Sequence, residues 1–115
     1  MEITPSLDGR IRILTLNGRL DQVSADRFHQ ALIPHLKECS PTGNPLLLDF
    51  SGVEYISSVG LRVLILAAKQ VKAQDGKIAI ANLTPIVTEV FQIGRFNLVF
   101  QVFQNHDDAL KFLAQ

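Results

Sequence analysis

An α/β domain with a mixed, mostly parallel sheet is the fold class this sequence predicts, and three observations carry it. Short β-prone runs alternate with segments whose apolar residues recur three or four apart. The run LLLDF, Leu46 to Phe50, is almost wholly apolar, the pattern of a strand covered on both faces. Before these comes a pair of β-prone runs around Asp8-Gly9, a dipeptide that takes the positive φ of a tight hairpin.

Taken in order, EITPSLDGRIRILTLNG reads as an N-terminal β-hairpin ending near Gly18. Ala25, Phe28, Ala31, Leu32, Leu36 and Cys39 then mark an amphipathic helix, with Ser24 placed to cap it and Pro34 expected to bend it or restart its last turn. SPTGNP ends it. LLLDF is a strand, SGVEYI a connecting loop, and Ser58 to Gln74 a helix stopped by Asp75-Gly76. KIAIANL gives another strand, and TPIVTEVFQIG a short helix with Thr84 as cap, Pro85 at its first position and Gly94 past its end. LVFQVF is the last strand, and Asn105 caps a final helix, HDDALKFLA. The architecture is one domain over residues 1–115, its sheet packed against about four helices and its outer hairpin strand antiparallel at one edge.

Composition narrows the function. The 11 basic and 11 acidic residues cancel, and the basic ones are scattered without a stripe, which argues against a nucleic-acid partner. MEITPSLDGR has neither a basic start nor an apolar core, and the longest apolar stretch, Val63 to Ala68, is far too short to insert into a membrane, so a cytoplasmic location is expected. A lone Cys39 reads as an inert core thiol. His29, His35 and His106 have neither ligand spacing nor clustered carboxylates, so neither metal nor cofactor is expected. No nucleophile elbow or phosphate loop appears, and the chain does not read as an enzyme.

What remains is the turn Ser57-Ser58, between an apolar strand and an apolar helix. A serine there is a common N-cap. It is also a hydroxyl beside unpaired N–H groups at the positive end of a helix, at the carboxyl end of a strand where α/β sheets meet ligands and partners. Gly60 reads either as a weak helix position or as a gap for a partner's backbone. Tyr55, Leu61 and Ile65 are candidates for an apolar surface patch, and Arg62 and Arg95 for pairing with partner carboxylates.

These segments resemble a family. LNGRLDQVSADRF, LLLDFSGVEYISSVGLRVL and GKIAIANLTPIVTEVFQIGRFNLVFQVFQNHDDAL follow one another as in STAS domains of the bacterial anti-sigma factor antagonist type, over nearly the whole chain. The resemblance implies a phosphorylation-controlled partner switch. An unmodified antagonist binds an anti-sigma factor that is also a serine kinase, phosphorylation of a serine at the start of this helix releases it, and a metal-dependent serine phosphatase reverses the mark. Aligning Gly60-Leu61 puts the acceptor at Ser58, with Ser57 the alternative, and Asp21 matches an acidic residue near the same surface. The partner surface so implied comprises Asp21, Tyr55, Ser57, Ser58, Val59, Gly60, Leu61 and Arg62. The chain departs from the family pattern in having Ser57 where many antagonists carry Asp, and Val59 where a second small hydroxyl residue is frequent. The rival reading is a constitutive STAS subunit of a membrane transporter complex, never modified. Whether the chain is a monomer or a dimer is open.

Overall fold

The computed structural model describes residues 1–115. Strand β1 (Glu2–Asp8) and strand β2 (Ile11–Leu20) form the hairpin, paired from Glu2↔Asn17 to Asp8↔Ile11. The loop is therefore Gly9-Arg10, one residue beyond the expected dipeptide. Gly9 takes the positive φ of +60° that the first loop position needs.

Helix α1 (Ala25–Lys37) passes through Pro34 and stops before Cys39, two residues short of the expected end. Its cap also differs. Ser24 accepts no N–H from the helix; Asp21 Oδ1 instead accepts the N–H groups of Val23 at 3.1 Å and Ser24 at 3.0 Å. The first turn of bonding starts at Asp21, whose carbonyl accepts from Ala25 N–H, so the carboxylate sits where the free amides are.

Strand β3 (Leu46–Ile56) is twice as long as LLLDF: SGVEYI is strand, not loop. It lies parallel to β2, and twice carries one more residue than its partner, between Thr15 and Asn17 and between Gly18 and Arg19 of β2. Such bulges increase the local twist and bend the strand. Helix α2 (Ser58–Ala73) follows, then β4 (Ile78–Ala81), α3 (Pro85–Ile93), a 3₁₀ turn at Phe96–Leu98, β5 (Val102–Phe103) and α4 (His106–Leu113). The predicted strand LVFQVF is thus strand only at the two residues of β5; its Leu98 ends the 3₁₀ turn, which is entered through Arg95 at φ +57°, and Val99 to Gln101 are irregular. Thr84 is not a side-chain cap either, for its hydroxyl donates to Val53 O of β3 at 3.0 Å. Asn105 does cap α4, accepting from Asp108 N–H at 2.9 Å.

The five strands lie in chain order, β1-β2-β3-β4-β5, antiparallel at the hairpin and parallel elsewhere. Alternation along β3 divides the interior. Leu46, Leu48 and Phe50 join the larger core under α1, α2 and α3; Leu47 joins the smaller one under α4. Phe50 meets Phe91 of α3 edge to face, centroids 6.3 Å apart, which seats α3 against the bulged half of β3.

Candidate functional site

The two bulges in β3 bring its end beside the end of β2, where Ser57 N–H donates to Leu20 O at 2.9 Å. Ser57 is extended (φ −91°, ψ 170°) and is the N-cap of α2, its Oγ accepting from Gly60 N–H at 3.1 Å. That hydroxyl is half-buried and engaged. Ser58 is the first helical residue; it is exposed, and its hydroxyl makes no hydrogen bond within the chain. Neighbouring serines of the same type are therefore different chemically: one holds the helix start, the other is free.

Gly60 is buried, and its role is internal. A Cβ there would lie 2.6 Å from Leu20 Cγ and 2.9 Å from Leu20 O, so a glycine lets the first turn of α2 rest directly on the end of β2. The gap expected for a partner's backbone is filled by the protein's own strand. Leu61, 7% exposed, also points into the core, and Ile65 is half-buried. The expected partner surface loses Gly60 and Leu61, because the inward stripe of α2 is what packs it on the sheet. Tyr55, Val59 and Arg62 remain exposed, and Leu66, which sequence reasoning did not single out, joins them at 43% exposure. Its spacing from Val59 and Arg62 was the available signal.

Asp21 follows the last residue of β2, at the same end of the sheet. The Ser24 N–H and then the Ser24 hydroxyl hold its carboxyl below the ordinary carboxylate value; partial burial opposes them, and the Val23 N–H and Arg19 add to the lowering. Arg19, another residue missed, has its Nε 4.0 Å from Asp21 Oδ2 and its guanidinium carbon 4.5 Å from the centre of the Tyr55 ring. Being largely exposed, these contacts orient side chains more than they stabilise the fold. Arg19 faces Tyr55 only because β3 continues past Asp49. Arg95 enters the 3₁₀ turn after α3, away from this cluster in the chain.

A second polar group lies under α4. Asp49, 7% exposed, is the one charged residue buried in the chain. Its Oδ2 lies 2.8 Å from His106 Nε2, and its Oδ1 accepts from Ser51 N–H at 2.9 Å and from Asn82 at 3.4 Å. Burial pushes this carboxyl up, but the Ser51 N–H, His106 and Asn82 outweigh it and the net direction is down. His106, which the sequence singled out only to exclude it as a metal ligand, thus ties the start of α4 to β3. Cys39 is buried as expected, its thiol donating to Lys77 O at 3.1 Å and pushed up by burial. The largest cleft, about 750 Å³, opens at the opposite end of the strands, beside Arg10, Pro45, Lys77 and Leu113. It takes no part in the serine site. No helix is long and apolar enough to cross a membrane.

The sequence profile of the STAS domain matches residues 3–109. This chain belongs to the STAS domain family. Among relatives of this STAS domain, BtrV of Bordetella bronchiseptica, whose name places it with the anti-sigma factor antagonists, is 32% identical over 103 residues, covering 90% of this chain and 85% of that protein. An anti-sigma factor antagonist from Mycobacterium paratuberculosis has the same fold, with a TM-score of 0.87 at 21% identity over 99% of this chain and 94% of that one. SpoIIAA of Bacillus, solved in a phosphorylated form, superposes with a TM-score of 0.69 at 14% identity over 96% of this chain and 97% of that one. At these identities the structural likeness speaks for the fold.

Proposed function

We propose that this STAS domain is a cytoplasmic anti-sigma factor antagonist that acts by binding and is switched by phosphorylation of Ser58. The observation that carries the reading is the free, exposed hydroxyl of Ser58 at the first position of α2, with the capping duty already discharged by Ser57. A phosphate on Ser58 leaves the cap untouched, whereas Ser57 Oγ is half-buried and held by Gly60 N–H, so a kinase reaching it would first have to disturb the start of the helix. The names of the relatives support the same reading.

In this account the unmodified protein presents Tyr55, Ser58, Val59 and Arg62, with Asp21 alongside, to an anti-sigma factor that is also a serine kinase. Phosphorylation adds about −1.5 to −2 charges to a surface that had been packed against the partner. Swinging a complex from almost all bound to almost all free needs on the order of 5 kcal/mol, a size that desolvating a phosphate against a partner with no cation for it supplies. Release follows without refolding. A metal-dependent serine phosphatase restores the binding form. The chain itself contributes a substrate hydroxyl and a surface, not catalysis.

Co-purification and binding of the partner by Ser58→Ala and Ser58→Asp forms test this. The alanine form is expected to retain a kinase-like partner and the aspartate form to lose most of its affinity. Equal affinities, or capture of a membrane complex indifferent to position 58, would overturn the switch in favour of a constitutive subunit.

A further inference from the structure

Helix α2 carries Arg62, Lys69 and Lys72 and no acidic residue. Arg62 stands four residues after Ser58, the spacing at which side chains meet across one helical turn. Both are exposed, and Arg62 makes neither an ion pair nor a side-chain hydrogen bond within the chain. The order is the favourable one, an anion at i and a cation at i+4, which runs with the helix dipole rather than against it. A guanidinium also offers two parallel N–H groups to two phosphate oxygens, which an ammonium does not. Nothing adjacent competes, because the residue before Ser58 is a neutral serine, and the Asp21 carboxylate is occupied by Val23, Ser24 and Arg19.

We propose that Arg62 is the internal counter-ion of a phosphoserine at position 58, the phosphate folding back onto the guanidinium across the first turn of α2. This rests on the reading of Ser58 as the acceptor. Modification then acts twice: it adds charge to the partner-facing surface, and it engages the one arginine of α2 that would otherwise pair with a partner carboxylate. The phosphate also gains a direct physical signature. A cation held beside it favours the dianion, so its second ionisation moves to lower pH.

The test needs no kinase or partner. Phosphoserine is built into position 58 of the full chain during translation, and the ³¹P chemical shift is followed against pH. An i,i+4 ion pair of about 0.2–0.5 kcal/mol corresponds to about 0.15–0.4 pH units, and charge-assisted phosphate bonds are about twice as strong, so the expected lowering relative to Arg62→Gln is about 0.3–0.7 units. Arg62→Lys should lie between the two. Lys69→Gln, three turns away, should match the unsubstituted phosphoprotein. Equal values for the unsubstituted protein and Arg62→Gln overturn the proposal, as does an equal rise in Lys69→Gln, which would mean diffuse charge rather than a pair. Because the phosphate is installed directly, such a result leaves the partner switch standing, and a failure to find Ser58 modified in cells leaves the measured pair standing.

Discussion

Replacing each serine of the Ser57-Ser58 turn by alanine separates their roles in one experiment. Ser57 Oγ holds the Gly60 N–H at 3.1 Å in a half-buried setting, and Gly60 itself is buried. Ser57→Ala removes the acceptor, and the amide has little water to replace it. Loss of an N-cap costs about 1 kcal/mol, and an unsatisfied buried donor about 1–3 kcal/mol, so about 1–2 kcal/mol is expected. With an unfolding entropy of about 2.1 cal/mol/K per residue, each kcal/mol corresponds to about 4 °C in Tm for 115 residues. Ser57→Ala should therefore melt about 4–8 °C below the unsubstituted protein. Ser58 has no bond to lose, so Ser58→Ala should stay within about 0.5 kcal/mol, or about 2 °C. Circular dichroism melts, with urea midpoints at unchanged slope as a check, give both numbers. Equal losses, or a larger loss for Ser58→Ala, would refute the division of labour on which the choice of acceptor depends.

Gly60→Ala sets helix propensity against packing. Alanine would favour the helix by about 1 kcal/mol, but its Cβ meets Leu20 Cγ at 2.6 Å and Leu20 O at 2.9 Å, and overpacking costs about 1–3 kcal/mol. A net loss by urea titration is expected; a gain would mean that α2 shifts off β2 without cost. Asp49 has its folded-state carboxyl held below the ordinary value, so its contribution is present above an unfolded value of about 4 and is lost as pH falls through the lower folded one. Asp49→Asn should flatten the acid side of a stability profile measured from pH 6 downward, and an unchanged acid side would contradict the His106 and Ser51 bonds as the cause. Cys39 is buried with its thiol pushed up, so it should resist thiol reagents at pH 8 in the folded protein and react at once in urea.

How much of this was visible in the sequence depended on the range of the interactions involved. The alternation of strands and helices, the Asn105 cap and the hairpin are local, and they read directly from period and turn chemistry. SGVEYI was misread because its Ser-Gly start resembles a loop; what keeps it in the sheet is pairing with β2 through two bulges, a tertiary effect. LVFQVF failed for the opposite reason, since its apolar run looks like a buried strand, yet Leu98 and Val99 are exposed at 78% and 56% and only Phe100 turns into the core before the two residues of β5. The Asp49–His106 contact joins residues 57 positions apart, and no local pattern announces it. At the serines, residue type gave two readings of equal chemistry. Only the backbone direction at Ser57, fixed by the meeting of β3 with Leu20, decides which hydroxyl is engaged.

The central claim is that Ser58 carries a reversible phosphate. Its most direct test is to isolate the protein from its own cells under growth and under stress, and to map phosphate by tandem mass spectrometry on the peptide spanning Ser57 and Ser58. The account predicts phosphate on Ser58, at a stoichiometry that changes between the two conditions. A peptide that stays unmodified in both, or that carries its phosphate on Ser57, would contradict it.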